Sequence, residues 1–199
     1  MKKYVGNSLI GIGLLILFIV SYGVMENQQH QKELIESFTS IKTEAATEKA
    51  IVGVKATDAQ QLKELKQEVV GILKIPSIHL KSPVLEGATP ENLNRALGMI
   101  AGLDDPEELN GSSAIAGHQA HVFGQFFNRL NELQVGDRFE LETRTDTLQF
   151  EVFNIQIVKP ENVDILERQK GISLLSLVTC YPERSNMFRL VVQAKKVEN

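Results

Sequence analysis

Apolar and polar positions change texture twice along the chain. From residue 5 to residue 24 the sequence runs 20 residues without a charged side chain. At a helical rise of about 1.5 Å per residue, such a run reaches about 30 Å, the thickness of a bilayer core. Gly6, Gly11, Gly13, Asn7 and Ser8 dilute it without adding charge. Lys2 and Lys3 precede it and Glu26 follows, so the basic side belongs to the cytoplasm and the rest of the chain lies outside. A cleaved signal peptide is the rival reading, because the apolar stretch 9–20 is short and Ser21-Tyr22-Gly23 resembles a small-residue cleavage site. The length of the full span favours a retained anchor over residues 1–25.

Residues 26–68 are rich in Gln, Glu, Lys, Thr and Ala, with no Pro and with Gly53 as the single Gly. Leu62, Leu65 and Val69 fall at i, i+3 and i+7, the spacing of an amphipathic helix end. No heptad run is sustained, and the segment reads as a solvated, partly helical stalk.

At Val69 short apolar segments begin to alternate with turn signals. The pattern predicts strands over residues 70–75, 82–85, 112–116, 138–143, 148–157, 174–179 and 188–194. In 138–143, for example, Phe139 and Leu141 share one face and Glu140 and Glu142 the other. Helical stretches are few: 90–97, with Thr89 as cap and Pro90 in the first turn, and a short piece over 126–133. Strands at this spacing predict an all-β barrel or sandwich over 69–199.

Composition then narrows the chemistry. The chain has 199 residues, 43% of them hydrophobic, which is enough for a packed core. A net charge of −4 gives no general basic field for nucleic acid. A single cysteine excludes an intrachain disulfide framework and every multi-cysteine metal site.

That cysteine, Cys180, ends an apolar strand and precedes Tyr181-Pro182, where proline stops a sheet ladder. Alternation sets Ser176, Val178 and Cys180 on one face and Leu175, Leu177 and Thr179 on the other. Most free cysteines are small buried hydrophobes. A lone thiol outside the cytoplasm instead invites a reactive role or an intermolecular disulfide. A nucleophilic thiol needs a base or a cation beside it, because the thiolate is the reactive species. Of four histidines, His30 lies in the stalk and His79 suits a polar surface role. His118 follows the run Ser113-Ala114-Ile115-Ala116-Gly117, where glycine permits a sharp departure, and His121 lies three residues on. The His118/His121 pair suggests a metal, but zinc needs three protein ligands and no second cluster has ligand spacing. Arg189 opens the last apolar strand and is either a solvated rim group or a donor to a site. Asp104-Asp105 with Glu107-Glu108 reads as a solvated acidic loop.

Taken together, three motifs resemble the sortases, the membrane-anchored cysteine transpeptidases of Gram-positive bacteria. Ala114-Ile115-Ala116-Gly117-His118 is similar to the family's histidine motif. Leu177-Val178-Thr179-Cys180 is similar to its TLxTC motif, with Ser176 where threonine is common. Arg189, nine residues after the cysteine, matches its essential arginine. Residues 71–76, 83–87 and Gly136-Asp137 add support, and the likeness covers about 69–197.

The resemblance implies a closed eight-stranded β-barrel with short helices, preceded by a transmembrane helix and stalk. It implies recognition of an LPxTG-type sorting signal on surface proteins. Cleavage between Thr and Gly would proceed through a thioacyl on Cys180, with transfer to a peptidoglycan precursor or cross-bridge amine. His118 would be the acid/base and Arg189 the oxyanion and backbone donor, joined by the Tyr181 N–H. Ala116, Val163, Ile165, Leu166, Val178 and Thr179 would bind substrate. The anchor and modest loops resemble class A, and Cys180-Tyr181-Pro182 is also similar to class D. No cofactor is implied. Some class A members use calcium held by carboxylates on two loops, but Arg168 occupies one matching position here and the 104–108 run is offset. Two other classes stay open. One is an extracytoplasmic cysteine hydrolase, although papain-like families place cysteine before histidine. The other is an anchored β-barrel binding module without catalysis, whose buried thiol would resist iodoacetamide.

Overall fold

A computed structural model describes residues 12–15, 18, 21–22, 25, 29, 31–40, 69–119 and 126–198. His30, His121 and most of the expected anchor and stalk lie outside the described residues. Among the described residues no helix is long and apolar enough to cross a membrane.

Eight strands close into a barrel. They are β1 (Val69–Ile75), β2 (Leu80–Leu85), β3 (Leu97–Met99), β4 (Ser112–Ala116), β5 (Arg138–Thr143), β6 (Thr147–Val158), β7 (Leu174–Tyr181) and β8 (Phe188–Val197). Around the barrel they run β1-β2-β3-β4-β7-β8-β6-β5, with β5 returning to β1. Two neighbouring pairs, β2–β3 and β4–β7, are parallel, and the others are antiparallel. Closure leaves no long unpaired edge, which resolves the sequence's choice between barrel and sandwich.

Strand alternation fills the interior. Leu175 and Leu177 of β7 face the core beside Val192 and Ala194 of β8, and Phe139 stacks on Phe150 with ring centroids 5.6 Å apart. On β5, Glu140 and Glu142 turn outward, and both carboxylates pair with Lys74 of β1, at 2.8 and 3.0 Å. The alternation that marked 138–143 as a half-buried strand is therefore the one that forms.

Differences from the expected elements have local causes. We label the helix over residues 31–40 α1 and the helix Pro90–Arg95 α2. Thr89 Oγ1 caps α2 by accepting from the Asn92 N–H at 3.2 Å. Ala96 then turns extended, and the three-residue strand β3 begins inside the span expected to be helical. Residues 126–133 form a turn and a 3-10 helix, Leu130–Glu132, rather than an α-helix, with Phe126 in the left-handed region at φ 50°. Residues 31–40, expected to be solvated stalk, dock on the barrel. Leu34 and Phe38, at i and i+4, are buried against Val69, Ile72, Leu85 and Ala96.

Candidate active site

Two candidate residues stand on neighbouring strands, and the third follows the end of the next strand over. Cys180 sits one residue before the end of β7, and its Cα partner across the antiparallel β7–β8 ladder is Arg189. On the other side, β4 runs parallel to β7 with Ala116 opposite Val178. The ladder ends there, and His118 follows two residues later, just after Gly117, whose N–H and carbonyl are both held by β7. Neighbouring antiparallel strands set paired Cα atoms about 4.5–5.5 Å apart, so Cys180 and Arg189 form a row across β7 and β8, with His118 just past the end of the strand on the other side of β7.

Alternation decides which way the row faces. Leu175, Leu177 and Leu190 belong to the barrel core, so Cys180 and Arg189 project to the outer surface. Two rows below them share that face: Ala116–Val178–Val191, and Ala114–Ser176–Gln193. Ala116, Val178 and Val191 thus form a short apolar strip next to the thiol, with the buried polar side chains of Ser176 and Gln193 beyond it. Cys180 and Arg189 are half-buried and His118 is exposed.

Position of the histidine depends on the residues around it. The Gly117 N–H donates to the Val178 carbonyl at 3.1 Å, and the Thr179 hydroxyl donates to the Gly117 carbonyl at 2.8 Å. Phe127 N–H donates to the His118 carbonyl at 3.0 Å. A Cβ on residue 117 would stand 2.5 Å from Leu97 Cδ2 and 2.7 Å from Phe127 Cδ2, so only glycine lets the chain pass between those side chains. Thr179 was expected to contact substrate. Its side chain is 3% exposed and faces away from the thiol, so its visible work is to hold the backbone ahead of His118.

Arg189 Nη1 donates to the carbonyls of Asn186 (3.1 Å) and Phe188 (3.0 Å), which anchors the guanidinium at the β7–β8 turn. That turn contains a cis Tyr181–Pro182 peptide and a Ser185 N–H to Pro182 carbonyl bond of 3.0 Å. Tyr181 is half-buried and pairs with Phe188 across the ladder.

Between β6 and β7 the chain folds over the outer face as a 3-10 turn, Val163–Leu166. Its backbone is pinned twice: the Gln193 amide donates to the Ile165 carbonyl, and the Ser112 hydroxyl to the Leu166 carbonyl, both at 2.7 Å. Ile165 and Leu166 are half-buried beside the strip, whereas Val163 is 66% exposed. Ala116 and Val178 are half-buried on the strip itself.

Residues 73–197 match the family model of the sortase domain, well over half of the chain. The chain belongs to the sortase family. Sortases are cysteine transpeptidases, and this sortase is one by membership. It is 28% identical to sortase A of Staphylococcus aureus, with 94% of each chain covered. To sortase D of Bacillus subtilis it is 27% identical, covering 92% of this chain and 90% of the relative. Among solved structures, it resembles sortase C-1 from Actinomyces oris with TM-score 0.64 and 27% identity, over 84% of this chain and 99% of that one.

Several residues of this sortase's site were not picked out by sequence. Gln193 is a polar residue in the apolar run Leu190-Val191-Val192, and that contrast is the signal that could have found it. It is 1% exposed and holds the β6–β7 loop while accepting from Asn154 at 2.8 Å. Ser112 gave no comparable signal. Asp104, read as part of a solvated acidic loop, receives the Arg168 guanidinium at 2.6 and 2.7 Å. The Arg168 bonds, and after them the Ser112 N–H, hold the Asp104 carboxyl below its ordinary range.

Proposed function

We propose that this sortase cleaves an LPxTG-type sorting signal between Thr and Gly and transfers the new C-terminus to a peptidoglycan amine. The observation that carries the reading is Cys180 facing Arg189 across the ladder, with His118 just past the end of the neighbouring strand β4 and an apolar strip beside the thiol. The Cys180 thiolate attacks the Thr carbonyl carbon, forming a C–S bond and a tetrahedral oxyanion. The C–N bond then breaks as His118 protonates the departing amine. An incoming amine attacks the thioester, His118 takes its proton, and Cys180 leaves as thiolate. Arg189 and the Tyr181 N–H stabilise the oxyanion in both halves. Ala116, Val178, Ile165 and Leu166 wall the groove for the signal's Leu and Pro, with Val163 at its outer lip. Names of the relatives favour class A or class D for this chain, with class A the better fit to its N-terminal apolar run.

Incubation of an LPxTG peptide with the protein, with and without an amine acceptor, tests the reading by product mass. Transfer product with amine is the expected result. Hydrolysis alone in both arms would instead identify a cysteine hydrolase.

His118, not His121, is the acid/base in this reading. Replacement of His118 by alanine should lower kcat/KM by at least about 10²-fold, the scale of a positioned acid–base group. A dead His121→Ala protein beside a near-normal His118→Ala protein would reverse the assignment.

Residues 1–25 anchor the protein in the membrane with the barrel outside the cytoplasm, an arrangement supported by the uncharged 20-residue run and the lysines before it. Cell fractionation should find the full chain in the membrane and a chain lacking residues 1–25 released from it. Mature protein beginning after Gly23 would show cleavage instead.

A further inference from the structure

The β6–β7 loop crosses the outer face of the barrel and is held at one end by a charge cluster 64 residues away in sequence. Arg168 lies two residues beyond the 3-10 turn Val163–Leu166. Its Nε and Nη2 grip both oxygens of Asp104, at 2.7 and 2.6 Å, and Nη2 also reaches Glu108 Oε1 at 2.7 Å. Asp104 and Glu108 belong to the loop between β3 and β4. Asp104 is itself fixed, because its Oδ2 accepts from the Ser112 N–H at 2.7 Å, where β4 begins. Nearby, the two loops are stitched by the Asn110 N–H to Ser173 hydroxyl bond of 2.9 Å and the Leu174 N–H to Gly111 carbonyl bond of 2.8 Å.

We propose that Arg168 is a positioning residue for the sorting-signal groove. By tying the β6–β7 loop to Asp104 and Glu108, it holds Ile165 and Leu166 at the distance from β4 and β7 that the substrate's apolar side chains need. This inference rests on the proposed reading of the groove. Three ties fall within four residues: the Ile165 and Leu166 carbonyls on Gln193 and Ser112, and the Arg168 head on the carboxylates. The first two are single neutral hydrogen bonds, and the third is a two-pronged, charge-assisted contact that fixes the loop's direction as well as its distance. Arg168 is 58% exposed in its side chain, and ion pairs so exposed contribute little to global stability. Its effect therefore falls on the loop and on substrate affinity, leaving the fold and the row of reacting groups intact.

Full-chain wild type, Arg168→Ala and Arg168→Lys are compared by steady-state kinetics with an LPxTG peptide and by hydrogen exchange of amides 163–168. In Arg168→Ala, KM should rise about tenfold with kcat within about twofold, the pattern of lost uniform binding. Exchange at 163–168 should quicken about tenfold, with the melting temperature within about 2 °C of wild type. Arg168→Lys keeps the charge without the planar fork and should fall between. In about 1 M salt, where screening reaches about 3 Å, the wild-type KM should approach that of Arg168→Ala, whose own KM should hardly move. Unchanged KM, even with faster exchange, overturns the proposal, as does a fall in kcat at constant KM. A wild-type chain that cleaves no peptide sinks the functional reading instead, and the exchange data still decide whether Arg168 holds the loop.

Discussion

Replacing Cys180 by alanine should leave a folded barrel that neither cleaves nor transfers. The chain contains one cysteine, so no second thiol can carry the acyl group. Cys180 is half-buried near the end of β7, with its side chain on the outer face and outside the interior packing of Leu175 and Leu177. Deleting one sulfur there opens no cavity in the core, and the cost should stay within about 0.5 kcal/mol, as for most surface substitutions. The chemical loss is of another order. Without the nucleophile no covalent intermediate forms, and activity should drop by more than about 10³-fold, to whatever binding and oxyanion donors achieve alone. Mass spectrometry of protein quenched during turnover should show an acyl adduct on wild type and none on Cys180→Ala, with superimposable thermal melts. Turnover retained by a folded Cys180→Ala protein would end the thioacyl mechanism.

The row that supports this prediction was largely legible before the fold was known. His118, Cys180 and Arg189 each sit at the end of an apolar run, and period-two alternation already put Cys180 on the face opposite Leu177. Alternation likewise set Thr179 with the core-facing residues, where its hydroxyl serves Gly117 rather than a substrate. Pairing order was not legible. That β6 lies between β8 and β5, and that β4 runs parallel to β7, depends on long-range closure, which local patterning does not encode. The strand β3 is three residues long, too short for any period to show. Arg168 and Asp104 each look like surface charges, and only the approach of two loops makes them partners. The docking of α1 was missed for a related reason. Leu34 and Phe38 make a stripe of only two buried apolar residues in a polar segment, and the groove that receives them exists only once β1, β2 and α2 are assembled.

Exchange of Arg189 for lysine should cost about 2.7–4 kcal/mol in transition-state stabilisation, a loss of about 10²–10³-fold, while the fold persists. Arg189 directly faces Cys180 across the ladder, so the two residues are one strand apart along the backbone and project from the same face. Nη1 is spent on the carbonyls of Asn186 and Phe188, which fix the plane of the guanidinium. Nε and Nη2 have no protein acceptor among the described residues and remain to meet a substrate carbonyl or an oxyanion. Lysine keeps the charge but has one nitrogen, so it cannot stay anchored to the turn and present two further donors in a fixed plane. If Arg189 were a solvated rim group, the swap would change stability by no more than about 0.5 kcal/mol and leave the rate normal. If it acts as charge develops on the carbonyl oxygen, kcat and kcat/KM fall together, because the lost interaction is made in the transition state and not in the ground state. Steady-state kinetics of Arg189→Lys with an LPxTG peptide, alongside a thermal melt, separates the two cases. Near-wild-type kcat in a folded variant would return Arg189 to the rim and leave the oxyanion to the Tyr181 N–H.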